Sequence, residues 1–235
     1  LGLICVFAVA RVALSFKTDS AKIAIREYLD AFIVAGLASL FLITFVIRTF
    51  YIPSDSMVPT LQQNDVLLVN EFEYRVHGPA RGDIVVFKPP IASPTDFIKR
   101  VVAVPGDTLR VSGGVVYVNG KPLDEPYISQ APSYQLRVAD YGITVDTGNG
   151  PQRLNATQAD VPPRTLWQAP GRVPAGYYFV MGDNRNDSDD SHIWGFAQLR
   201  GTFAAGPLAQ THAAAQFTGR AFLLLWPLNR LRVLH

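Results

Sequence analysis

Apolar and polar positions divide the chain into two unlike parts. From Ala31 to Ile47 it reads AFIVAGLASLFLITFVI, with no charged residue and no polar face. As a helix rising about 1.5 Å per residue this run extends roughly 26 Å, against a bilayer core of about 30 Å. Tyr28 and Leu29 before it, and Phe50 and Tyr51 after it, add residues that suit a membrane interface. The pattern predicts a transmembrane helix over 31–50. Leu1 to Ala10 (LGLICVFAVA) is also apolar but too short to span, so residues 1–16 read as part of a first hydrophobic segment. Arg11, Lys17, Lys22 and Arg26 lie between the two runs, and Arg48 stands alone after them. The positive-inside rule therefore makes 17–30 a cytoplasmic loop and puts 51–235 on the outer face.

Beyond residue 51 the period changes. DVLLVN (65–70), DIVVF (83–87), FIKRVVAV (97–104), DTLRV (107–111), VVYV (115–118), YYFVM (177–181) and RAFLLLW (220–226) are rich in Val, Ile, Phe and Tyr. Arg81-Gly82-Asp83, Pro105-Gly106-Asp107 and Asn119-Gly120 punctuate them, which reads as strands and turns, with a hairpin around Asn119-Gly120. No helix of convincing period occurs here beyond a turn near Met57–Leu61. These signals predict a mostly β domain, an antiparallel Greek-key or barrel-like unit behind the N-terminal transmembrane segments. Residues 112–171 read as an inserted hairpin and loop region, because Ser129–Gly171 is rich in proline and glycine. Ala204–Ala215 is low in complexity and reads as a loop or short helix.

Composition narrows the class. The 235 residues carry a net charge of +2, so the strong basic patch expected of a nucleic-acid binder is missing. Hydrophobic residues make up 49% and charged ones only 17%, which fits a membrane-embedded part and argues against long disorder. The lone Cys5 excludes an intrachain disulfide framework.

Candidate chemistry concentrates in four segments: IPSDSMVPTL (52–61), RGDIVVFK (81–88), DFIKRVVAVPGD (96–107) and GDNRNDSDDSHIWG (182–195). Ser56 needs a base before its hydroxyl can attack an acyl carbon. None of His77, His192, His212 and His235 sits in a His-Asp or nucleophile-elbow setting, and Gly-x-Ser-x-Gly does not occur. Lys99 is the other candidate. In strict alternation Phe97, Lys99 and Val101 share one face of their strand, with Ile98, Arg100 and Val102 opposite, so one of the two adjacent cations falls on the apolar side. Burial lowers a lysine pKa and frees its lone pair, whereas arginine keeps its proton. The plainer reading is an edge strand with solvated cations. The acidic cluster at 183–190 is not an EF-hand loop: the third, sixth and twelfth positions hold Arg185, Ser188 and Trp194.

In this order behind a hydrophobic segment, IPSDSMVPTL, RGDIVVFK, FIKRVVAVPGD and GDNRNDSDDS resemble the bacterial type I signal peptidases, over essentially residues 22–235. The resemblance implies a membrane-bound Ser-Lys serine endopeptidase that removes signal peptides after an Ala-x-Ala-like site, without cofactor or metal. It also implies preprotein signal peptides and membrane phospholipid as partners, and a catalytic domain on the outer face of the plasma (inner) membrane. Carried over by position, Ser56 is the nucleophile and Lys99 the general base. Ser54 joins the Ser56 N–H in the oxyanion hole, and Ser188 orients the lysine. Asp183, Arg100 and Asp190 frame the site. Ile52, Met57, Leu61, Phe97 and Ile98 wall shallow substrate pockets, and the Met57-Val58-Pro59 stretch resembles a membrane-dipping surface.

The chain departs from the family pattern at Asp55, where Gram-negative members usually have Gly, and at His192, where Arg is usual. Asn186-Asp187 inverts the common Asp-Asn order, and the 201–216 stretch is longer than usual. Two rivals stand beside this reading: another Ser-Lys peptidase of the same superfamily, and a non-catalytic membrane-anchored β module that binds peptides. The second would not need Ser56, Lys99 and Ser188 together.

Overall fold

The computed structural model describes residues 6–7, 9, 12, 20–45, 47–91, 93–154, 162, 164–198 and 217–234; at 20–24, 26, 41–45 and 75 it describes the backbone alone. The chain divides into two compact units, Leu1–Arg48 and Thr49–His235.

The first unit is dominated by helix α1, Ser20–Phe45. It begins inside the expected cytoplasmic loop, because SAKIAIREYLDA is built from good helix formers. It also ends before the expected limit of 50. Strand β1, Ile47–Tyr51, follows it and lies beside β2, Val66–Asn70, since Ile-Arg-Thr-Phe-Tyr is β-branched and aromatic. Among the described residues no helix is long and apolar enough to cross a membrane. The expected span 31–50 includes 41–46, which lie outside the described side chains. Most of the first hydrophobic segment, 1–16, and all of 199–216 also lie outside the described residues.

Among the described residues the second unit is mostly β. Its further strands are β3 (Ile84–Phe87), β4 (Phe97–Ala103), β5 (Leu109–Ser112), β6 (Val115–Val118), β7 (Lys121–Pro122), β8 (Gln135–Ala139), β9 (Gly142–Asp146), β10 (Gln152–Arg153), β11 (Tyr177–Met181), β12 (Ala197–Gln198), β13 (Phe217–Trp226) and β14 (Arg232–Val233). Strands β2 to β6, β11 and β13 lie close to the predicted runs. The four-residue helix α2 is Ser191–Trp194. One antiparallel sheet runs β1-β2-β13-β3-β4-β11-β12, with β14 on β13; the other runs β10-β9-β8-β5-β6-β7. Asn119 and Gly120, both at positive φ, turn β6 into β7, as an Asn-Gly hairpin requires.

The second sheet corrects the reading of 112–171 as an inserted hairpin and loop. Its inward side chains, among them Val111, Val116, Leu136, Val138 and Ile143, share one core with Val102, Phe179 and Met181 of the first sheet. The proline-rich composition of 129–171 reports its turns, while Gln135–Asp146 alternates well enough to pair and bury one face. Within the first sheet β3 is buried on both sides. Val85 and Phe87 join a cluster with Val101, Val180 and Trp194, while Ile84 and Val86 join one with Ile52, Met57, Leu61 and Leu224. That last cluster is the floor on which the Ser56 turn rests.

Candidate active site

Ser56 sits in the turn that leaves β1. Met57 and Leu61, one helical turn apart, are both sunk in the core, and the Leu61 N–H donates to the Met57 carbonyl at 2.9 Å. Ile52 donates to the Asp65 carbonyl at 2.9 Å and accepts from Asn64 at 3.0 Å, which ties the start of the turn to β2. The carbonyl of Ser56 itself accepts from the Asn184 N–H at 3.1 Å. The nucleophile candidate is thus fixed from below by apolar burial and from the side by the loop that follows β11.

Lys99 reaches this turn from β4. Its Nζ lies 2.7 Å from Ser56 Oγ, and the residue is only 4% exposed. The amine also lies 5.4 Å from the Phe97 ring centroid, as expected for residues on one face of a strand. Burial pushes the lysine down from its ordinary 10.5 to about 8, against the opposing pull of Asp190, Asp189 and Asp183. Those carboxylates do not restore the ordinary value because two of them are already engaged. Asp183 takes a fork of two bonds from Arg100, Nε to Oδ1 at 2.9 Å and Nη2 to Oδ2 at 2.8 Å, and a third from the Thr60 hydroxyl. Asp190 accepts from the N–H groups of Gly182 at 2.8 Å and His192 at 3.0 Å, and its Oδ1 lies 2.7 Å from His192 Nδ1. Burial alone would raise the Asp190 carboxyl, but the His192 contacts and the backbone donors hold it below its ordinary value.

Both members of Lys99-Arg100 are buried, where alternation puts only one on the apolar side. Arg100 is 3% exposed; its Nη1 donates to the Gly82 carbonyl at 2.9 Å and its guanidinium lies 3.9 Å from the Tyr127 ring centroid. The second sheet's flank covers the face that a strand read in isolation leaves to solvent. His192, standing where the family pattern has Arg, keeps the pairing with Asp190 and stacks on Tyr134 at 4.4 Å with an interplanar angle of 7°. Ser54 Oγ lies 3.4 Å from Ser56 Oγ on the exposed side of the turn.

Two assignments are corrected. Ser188 Oγ is buried and has no hydrogen-bond partner, so it makes no bond to the Lys99 amine. Leu61 does not line the cleft: it is fully buried in the floor beneath it. Met57 is likewise 1% exposed, so the Met57-Val58-Pro59 stretch does not present its methionine outward.

The cleft around Ser56 and Lys99 encloses about 610 Å³ and is lined by Ile52, Met57, Phe97 and Ile98, with Ser54 and Ser188 among the polar groups. Sequence reasoning missed Thr60, which bonds Asp183, and Asn184, which holds the Ser56 carbonyl. It also missed Gly182, where an added Cβ would stand 2.3 Å from the Ser56 carbonyl oxygen. Only the glycine carried a signal, as a Gly-Asp pair closing a buried strand. Among the described residues no group of three or more His, Cys, Asp or Glu side chains is arranged to hold a metal ion.

A buried amine of lowered pKa against a hydroxyl, with further polar groups in a shallow apolar cleft, is equipment for nucleophilic attack on a carbonyl. The sequence profile of the family described as signal peptidase, peptidase S26, matches residues 25–209. The chain is 41% identical over 179 residues to the probable signal peptidase I-1 of Synechocystis sp., covering 73% of this chain and 75% of that one. It is 40% identical to the probable signal peptidase I-2 of the same organism, covering 81% and 68% of the two chains. It is 37% identical to the signal peptidase I of Leptolyngbya laminosa, covering 80% and 73%. Over most of its length, then, the sequence joins the geometry in one conclusion: the chain belongs to the signal peptidase family, peptidase S26, and is a serine peptidase of the signal peptidase I type.

Proposed function

We propose that this protein is a membrane-anchored endopeptidase that removes N-terminal signal peptides from exported preproteins, with Ser56 as nucleophile and Lys99 as general base. The observation that carries the proposal is the 2.7 Å approach of Lys99 Nζ to Ser56 Oγ, with the lysine buried and its pKa lowered to about 8. The neutral amine takes the hydroxyl proton as Oγ attacks the scissile carbonyl. The Ser56 N–H and the Ser54 hydroxyl stabilise the oxyanion, and the lysine ammonium returns the proton to the leaving amine. Water, deprotonated by the same lysine, then opens the acyl-enzyme. Ile52, Met57, Phe97 and Ile98 give the cleft short apolar walls, which suits alanine methyl groups at positions −1 and −3 of the substrate.

Membrane anchoring rests on the uncharged run Ala31–Ile47 and on the basic residues before it, with the catalytic unit outside. Contact with phospholipid is supported by exposed Trp226, Leu228, Leu231 and Val233, which cluster in sequence around β13 and β14. The decisive experiment is cleavage of a preprotein with alanine at −1 and −3, in detergent and phospholipid. Wild type cuts after that alanine. Ser56→Ala and Lys99→Ala each lose about 10³-fold or more in kcat, and the double variant is no worse than either, because the two groups act as a unit. Substantial turnover by Lys99→Ala rules the dyad out.

A further inference from the structure

The cleft holding Ser56 and Lys99 is also lined by four carboxylates: Asp55, Asp96, Asp187 and Asp189. They come from three stretches of chain, the Ser56 turn, the approach to β4 and the loop between β11 and α2. Asp55, Asp187 and Asp189 are exposed and Asp96 is half-buried. Among the described residues none of the four forms an ion pair, whereas the interior carboxylates are engaged, Asp183 by Arg100 and Asp190 by the His192 ring. Asp55 accepts only a neutral bond, from Gln63 Nε2 at 2.9 Å. The basic side chains on the cleft wall are Lys99 and His192, already turned to Ser56 and Asp190. A half-enclosed cleft lined by one sign of charge focuses the field and selects what enters. Ser188 also lines the cleft, 8% exposed, with its hydroxyl buried and without a hydrogen-bond partner.

We infer that Asp55, Asp96, Asp187 and Asp189 set a charge preference on the substrate, favouring Lys or Arg and rejecting Asp or Glu in the residues that flank the scissile bond. This rests on the cleft being the peptide-cleaving site. It adds a selection by charge to the selection by size that the apolar walls impose. Single exposed pairs are weak and salt-sensitive, so the effect to look for is a combined one of about tenfold.

The test uses the full chain in detergent and phospholipid with three peptides, each with alanine at −1 and −3. The residues at −2, +1 and +2 are uncharged, lysine or glutamate. The expected kcat/KM ratio of lysine to glutamate peptide is about tenfold at low salt, falling to within about twofold at high salt. It falls similarly when all four aspartates become asparagine, and in part for Asp189→Asn alone, which serves if the fourfold variant does not fold. A ratio near one in the wild type, or a ratio that the substitutions leave unchanged, overturns the inference. Cleavage of the uncharged peptide separates this outcome from failure of the peptidase reading. Binding of the labelled lysine and glutamate peptides to Ser56→Ala protein, followed by fluorescence anisotropy, decides the charge preference without turnover. Tighter binding of the lysine peptide supports it and equal binding refutes it.

Discussion

Lys99 concentrates the cost and the use of this site in one side chain. Its pKa, about 8 against an ordinary 10.5, lies where a base can be neutral near physiological pH. Cleavage should therefore fall as pH drops through about 8, and a pH profile of kcat/KM for the preprotein checks this. Lys99→Arg should be as inactive as Lys99→Ala, because guanidinium keeps its proton. The same shift has a sign in stability. Between about 8 and 10.5 the unfolded chain holds a proton that the folded chain has released, so stability rises with pH across that window. Below pH 8 the burial cost is fully present, about 3 kcal/mol at about 1.4 kcal/mol per pKa unit. Lys99→Met should remove it, so that urea unfolding at neutral pH finds an inactive protein of greater stability. That gain should shrink as pH approaches 10. The lysine and its strand were legible in FIKRVV; the burial of Arg100 beside it was not, since the Asp183 fork and the Tyr127 ring arrive from distant segments.

At the scale of elements, the site is a junction between the turn after β1 and the loop after β11. Gly182 is where they meet. Its N–H donates to Asp190 at 2.8 Å, and a Cβ there would lie 2.3 Å from both the Ser56 carbonyl oxygen and Ser188 Oγ. Its backbone needs no left-handed angle, so the requirement is one of space. Gly182→Ala must push the Ser56 turn off Lys99, and displacements on the order of 1 Å in a reacting pair cost about 100-fold. Preprotein cleavage should show a loss of that order in kcat. A loss below about threefold means that the turn can shift without moving Oγ from the amine. The strands themselves were readable, because alternation is local. The Asn119-Gly120 hairpin and the runs at 84–87, 97–103 and 177–181 fall where the pattern put them. The β8, β9 and β10 half of the six-stranded sheet was not, because prolines between short strands mask their pairing.

Across the whole catalytic unit, that second sheet is part of the site. Arg185, from the active-site loop, is fully buried in an ion pair at 2.7 Å with Glu125, which follows β7. Asn186 donates to the Ala131 carbonyl at 3.0 Å and accepts from the Ser133 N–H at 2.8 Å, and Tyr134 backs His192. The stretch 125–134 thereby braces the loop that carries Asp183, Ser188 and Asp190. Glu125→Gln leaves a buried guanidinium without its counter-charge and should cost about 3–5 kcal/mol in urea unfolding. Replacing both partners, Arg185→Met with Glu125→Leu, should recover most of that loss. Additive losses mean that the two side chains are not coupled.

By itself the sequence determined the class of protein and singled out Ser56 and Lys99 as the candidate pair. An uncharged apolar run, alternating strands, and a serine and a lysine in separate motifs are written in neighbouring residues, so no long-range contact is needed to read them. Tertiary structure decided the rest. It brought Lys99 to 2.7 Å from a serine 43 positions away, paired Asp190 with His192 in place of arginine, left Ser188 unbonded and sank Leu61 below the cleft. The reason is the ladder itself. β13 inserts between β2 and β3, and β11 pairs with β4. Burial and pKa at any position depend on what such distant partners bring to the strand's other face, and no local pattern records that.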